Sequence, residues 1–198
     1  MGFQVSKTAA GIASGGGGGT GGYLTAGKLG DGDHYRVAIV SEDPLEYWTL
    51  WAETDEGQKK PFRFTSEPSA DDIHAELGDD WKQRMNYEGT ALEAPKFGMS
   101  FFVFDFADSK IKVFEMTQKT LIKELDKLCN DDDYSEIAAW DLKINRTGLK
   151  MNTEYSILPS PRKKGSQDQI DAAWSAAQDQ GYDINQLLVG GNPFGEKL

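Results

Sequence analysis

The chain has 198 residues, 38% of them hydrophobic, and a formal charge of −11. That length suits one domain plus tails. The apolar runs fall short of the roughly 20 residues of a membrane span, and net acidity argues against a general duplex-DNA coat, which needs broad positive potential. The single cysteine, Cys129, excludes an intrachain disulfide and points to a reducing, cytoplasmic compartment.

In chain order, residues 1–30 read as a flexible segment. Met1 to Ser6 fits the short, common pattern for myristoylation at Gly2. Gly15 to Gly19 with Gly21 and Gly22 has no core-forming capacity. Gly22 to Lys28 has the spacing of a phosphate-binding loop. However, Leu29 replaces the Ser or Thr that would hold magnesium, and no apolar strand precedes it, so the match reads as coincidence.

Tyr35 to Val40, Tyr47 to Glu53 and Pro61 to Thr65 read as the first three strands, separated by Asp43-Pro44 and Asp55-Glu56-Gly57. Across the last two, Trp48, Trp51, Phe62 and Phe64 interleave with Lys59, Lys60 and Arg63. A surface that stacks on bases and holds phosphates needs that mixture of flat π faces and cations. Alternation in a small β domain also predicts that about half of such aromatics are core. Ser69 to Asn86 reads as a polar insertion, helical or irregular, with Ile73, Leu77 and Trp81 on one face. His34 and His74 lack partners at zinc spacing. The aspartates near His34 and at 131–133 do not follow a calcium loop, so no metal is assigned.

Phe101 to Phe106 is rich in strand-forming residues. Alternation puts Phe102, Phe104 and Phe106 on one face and Phe101 and Val103 on the other. After the turn at Asp108-Ser109, Lys110, Lys112 and Phe114 form an outward basic-aromatic face against inward Ile111 and Val113. Thr117 reads as the N-cap of a short helix carrying Leu121, Ile122, Leu125 and Leu128. Asp141 to Arg146 and Thr153 to Leu158 are the next two strands, turning at Gly148, with Pro159 and Pro161 as stops. Gln167 to Gln180 is helical through Ile170, Ala173, Trp174 and Ala177, capped by Gly181, and Phe194 stands as an exposed aromatic in the tail.

These elements predict a mainly β fold. It is an OB-like Greek-key small barrel over 31–161 with one or two short helices, followed by a C-terminal helix and tail over 162–198. Charge is uneven: Lys143, Arg146, Lys150 and Arg162 to Lys164 cluster late in the chain. No nucleophile or metal-hydrolase signature is present, so no catalytic residue and no cofactor are assigned.

The run from Phe101 through AWDLKINRTGLKMNTEYSILPSP resembles the single-stranded DNA-binding proteins of tailed bacteriophages. Their pattern is D-x-K-I-x-R-x-G-x-G-x-x-T-x-Y followed by proline. It is met at Asp141, Lys143, Ile144, Arg146, Gly148, Thr153 and Tyr155, with Lys150 where the second glycine is usual. The resemblance implies an OB fold that coats and protects exposed DNA strands without sequence preference in phage replication, recombination or repair. It also implies a host-cell cytoplasmic location and a C-terminal tail that recruits replication proteins, for which Phe194 is the candidate contact. Under this expectation Trp48, Trp51, Phe62, Phe64, Phe104 and Phe106 stack on bases. Lys59, Lys60, Arg63, Lys110, Lys112, Lys143, Arg146 and Lys150 follow the phosphates. The competing expectation is an adaptor that binds another protein through the same barrel and C-terminal helix.

Overall fold

The fold is built on one strand. Lys96–Asp105 (β6) is buried at every position from Gly98 to Asp105, so both of its faces meet cores. Its run of aromatic and β-branched residues suits a central strand better than a half-exposed one. The computed structural model describes residues 21–134 and 136–195.

Lys110–Met116 (β7) pairs antiparallel along one edge of β6, and Tyr23–Thr25 (β1) adds to β7 in parallel. The other edge of β6 is shared. Its first half pairs with Leu45–Glu53 (β3) and its last residues pair with His34–Ile39 (β2). From β2 the sheet runs on to Trp140–Thr147 (β8) and Glu154–Pro161 (β9). From β3 it runs to Lys59–Phe64 (β4) and to the short Lys82–Gln83 (β5). The protein is mainly β, a nine-stranded sheet whose ends are not joined into a closed barrel among the described residues.

Helices cover the sheet on both sides. Lys119–Cys129 (α2) buries Leu121 and Leu125 against Val37, Phe101, Val103, Phe114, Met116, Leu142 and Ile144. On the opposite side Ser166–Asp179 (α3), with the 3-10 turn at Ile184–Leu187, buries Ile170, Ala177 and Leu187 against Ala38, Phe102, Phe104, Ile111 and Val113. A third small core lies under Ala70–Leu77 (α1), where Ile73 and Leu77 meet Leu50, Ala52 and Phe62. A reciprocal cap starts α1. The Ser69 hydroxyl accepts from the Asp72 backbone N–H, and the Asp72 carboxylate accepts from the Ser69 N–H. The Ser69 hydroxyl, which also donates to the Asp72 carboxylate, and after it the Ser69 N–H hold that carboxyl below its ordinary range.

Several expectations change. Residues 1–20, with the myristoylation pattern and most of the glycine run, lie outside the described residues. Residues 21–30 are part of the fold, since β1 joins the sheet edge. The C-terminal helix is a structural layer over Phe102 and Phe104, not an appendage. The outward basic-aromatic face expected on β7 is covered at Phe114, which packs beside Phe101 under α2. The N-cap of α2 is Gln118, one residue past Thr117, without a side-chain capping bond. Pro159 and Pro161 do not end β9. Among the described residues only β8 pairs with β9, so the missing donors face no further described strand and the ladder continues to Trp140 opposite Pro161.

Candidate nucleic-acid interface

Strand parity divides the β3–β4 residues that the sequence groups together. Directly opposed residues on paired strands share a face. Trp48 lies opposite Phe64 and Phe97, Leu50 opposite Phe62, and Ala52 opposite Lys60. This is the side under α1. Phe62 is core there, and the Lys60 ammonium sits 4.3 Å from the Phe62 ring and 4.6 Å from Trp81. Trp48 and Phe64 are half-buried, and Trp48 meets Phe97 edge-on at 6.0 Å.

The other side carries Thr49, Trp51 and Glu53. Thr49 lies between Arg63 on β4 and Lys96 on β6. Trp51 lies opposite Pro61, and Glu53 lies between Lys59 on β4 and Lys82 on β5. Four cations from three strands thus bracket one tryptophan, which is 42% exposed. Three of the cations hold carboxylate partners that solvent reaches: Lys59 with Glu53 at 3.5 Å, Lys82 with Asp55, and Lys96 with the half-buried Glu93. Such pairs are worth little in water and exchange readily for another anion.

Arg63 differs. Its side chain is 9% exposed and pairs with Glu115 of β7. One terminal nitrogen reaches the Leu187 carbonyl at 3.4 Å, and the guanidinium lies 5.2 Å from the Tyr47 ring. Burial pulls the Arg63 pKa down, but Glu115 and Tyr47 outweigh it and hold the group above its usual range. Tyr47 shares a 2.7 Å hydrogen bond with Ser100. Its phenol is pushed up, first by burial and then by the Glu115 charge. Beside Trp51 these residues enclose an open cavity of about 220 Å³, completed by Thr25, Thr117 and Gln118.

Other expected site residues are placed elsewhere. Phe104 is fully buried beneath α3 and cannot stack on a base. Phe106 is half-buried, edge-on to Phe104 at 5.1 Å, with the Arg36 guanidinium 4.1 Å above it. Lys112 is half-buried between Asp105 and Asp108, at 2.7 and 2.8 Å, so it is no free phosphate ligand. Burial lowers its pKa, but the two carboxylates raise it further, to a net value above normal. Lys110 is exposed at the hairpin end.

Within the phage-like pattern the roles are structural. Asp141, fully buried, binds Arg36 and Arg162. Arg146 donates to the Leu29 and Gly27 carbonyls, which commits it to the loop after β1. Gly148 has φ +78, and a β-carbon there would fall 1.9 Å from the Asn152 carbonyl oxygen. Lys150, where the pattern has its second glycine, holds φ +55, and its side chain is exposed. Lys143 is half-buried between Arg36 and Leu158. Phe194 is no exposed tail contact. It meets Tyr23 at 5.2 Å and Tyr182 at 5.4 Å.

The coherent surface is therefore Trp51 with Lys59, Lys82, Lys96 and Arg63. Sequence reading missed Lys82 and Lys96. Both lie far along the chain from Trp51, and only strand register brings them alongside.

No known protein family, curated protein or solved structure matches this chain. Among the described residues no cluster of His, Cys, Asp or Glu is arranged to hold a metal ion. No described helix is long and apolar enough to cross a membrane.

Proposed function

We propose that this protein binds single-stranded DNA, as the phage proteins it resembles do, and that it acts by binding without chemistry. The observation that carries the reading is the exposure of Trp51 between cations contributed by β4, β5 and β6. An exposed indole on a rigid sheet offers a stacking platform at little entropic cost, and flexible lysines around it suit a phosphate backbone. The net acidity of the remainder limits indiscriminate attachment to duplex DNA. The OB-type arrangement belongs to the same proposal, supported by one long strand, β6, that serves two groups of partner strands. So do the roles in replication, recombination and repair and the cytoplasmic location.

Titrating intrinsic tryptophan fluorescence with an oligothymidine, beside a duplex control, tests the proposal. Single strand should quench the signal, and salt should weaken the effect. Trp51→Ala should lose about 1–3 kcal/mol of affinity while its melting temperature stays put. Neither quenching nor a mobility shift with wild type would remove the reading. The adaptor reading would then lead, because a groove of about 390 Å³ lies between α2 and β6. Phe97, Met99, Phe101 and Ile122 line it, and Glu42, Glu46 and Asp126 are among its polar residues.

A further inference from the structure

The cavity beside Trp51 has features that a plain stacking surface does not need. At about 220 Å³ it is smaller than the roughly 300–1,000 Å³ of pockets for drug-sized ligands, and suits a single ring system. Tyr47, Trp51 and Pro61 supply flat apolar wall, and Arg63, Glu115 and Gln118 supply polar groups. A phosphate is a poor occupant, because the Glu115 carboxylate already neutralises Arg63 and would repel a second anion.

The polar groups have unused capacity of a definite kind. Arg63 and the more distant Tyr47 hydroxyl both address Oε1 of Glu115, so Oε2 remains an acceptor. Gln118 accepts the Thr117 backbone N–H at 3.3 Å through its carbonyl oxygen, which leaves its amide N–H groups as donors. Nε of Arg63 is buried without a hydrogen-bond partner, an uncommon state for a native donor. An acceptor and donors thus line one small cavity that opens beside an exposed indole.

Resting on the single-strand reading above, we propose that this cavity receives one base from the bound strand and prefers adenine or cytosine to thymine. Adenine and cytosine present an exocyclic amine beside an unprotonated ring nitrogen. The amine can donate to Glu115 while the ring nitrogen accepts from Gln118. Thymine presents a carbonyl oxygen in place of that amine, and its oxygen would face the carboxylate. The protein then binds strands generally but reads one position.

The test compares fluorescein-labelled oligothymidine with the same oligomer carrying one central cytosine or adenine, by anisotropy on the full chain. Wild type should bind the substituted strands at least about fivefold more tightly, as one good edge contact gives. Gln118→Ala should lose that preference with only a small drop in melting temperature, since its side chain makes no helix-capping bond and only a long 3.3 Å contact with the Thr117 N–H. Glu115→Gln should weaken the preference too, but it also disturbs the Arg63 pair, so Gln118→Ala is the deciding variant. Equal affinity of wild type for all three strands, or a preference that survives in Gln118→Ala, would overturn the base pocket and leave single-strand binding standing. Binding to none of the strands would overturn both.

Discussion

Two groups of cations lie on the same side of the sheet, one beside β3 and one around Asp141, and they differ in what holds them. On the β3–β4–β5 flank, Lys59, Lys82 and Lys96 contact carboxylates that water also reaches. On the β2–β8–β9 flank, Arg36 and Arg162 close on Asp141, which has no exposure, and Arg162 also donates to the Ala138 and Trp140 carbonyls. The first group can trade its partners for phosphate at small cost. The second cannot, because a carboxylate left in the interior without its cations is heavily penalised. A basic stretch in a sequence is therefore a site only where its counter-charges are dispensable. Here, of the stretch that looked more basic, Arg146 and Arg162 are committed to the fold, while Lys150, Lys163 and Lys164 stay exposed.

Substitutions separate the two flanks. The largest effect is expected between them. Phe104→Ala should cost about 3–5 kcal/mol in urea unfolding, because it empties the core beneath α3. The folded fraction should bind single-stranded DNA as wild type does. Reduced binding by fully folded protein would return Phe104 to the interface. On the second flank, Asp141→Ala should cost about 3 kcal/mol, near the low end for a broken buried pair because the Arg36 side chain is a third exposed. The same experiment with Glu93→Ala should register within about 0.5 kcal/mol of wild type. If the two carboxylates prove equal, the contrast drawn above fails. The smallest effect is in the salt dependence of binding. Replacing Lys59, Lys82 and Lys96 together with Ala should flatten the log–log slope by about 2, from roughly 0.7 per released counterion on a single strand. Lys143→Ala should leave the slope unchanged.

Much of the fold could be read from the chain. The alternation in β3, β4 and β6–β9, the Ile73–Leu77–Trp81 face and the helix carrying Ile170, Ala173, Trp174 and Ala177 all lie where periodicity puts them, with ends shifted by at most three residues except in β6, which begins at Lys96, five residues before the expected Phe101. What could not be read was which face each strand buries when both faces are apolar. Phe101 to Phe104 is hydrophobic at every position, so the sequence offers no sign that α3 covers Phe104 while α2 covers Phe101. The site was half legible for a related reason. Trp51, Lys59 and Arg63 stand out locally, but Lys82 and Lys96 join them only through pairings between segments 29 to 47 residues apart. The phage-like pattern marked residues that matter, yet Asp141, Arg146 and Gly148 serve this fold through geometry and charge burial, not through a free surface.

The two prolines of β9 carry a last implication, for crowding. An open sheet exposes a row of backbone donors and acceptors along each rim, and another chain's strand can zip onto that row. Pro159 and Pro161 leave β9 short of two N–H groups along one stretch, so an incoming strand would meet carbonyls without the matching donors. Under the single-strand binding proposed above, many copies held side by side on one DNA strand would face each other at very high local concentration. Under those conditions this rim resists the strand-to-strand growth that turns a crowded β protein into an insoluble one.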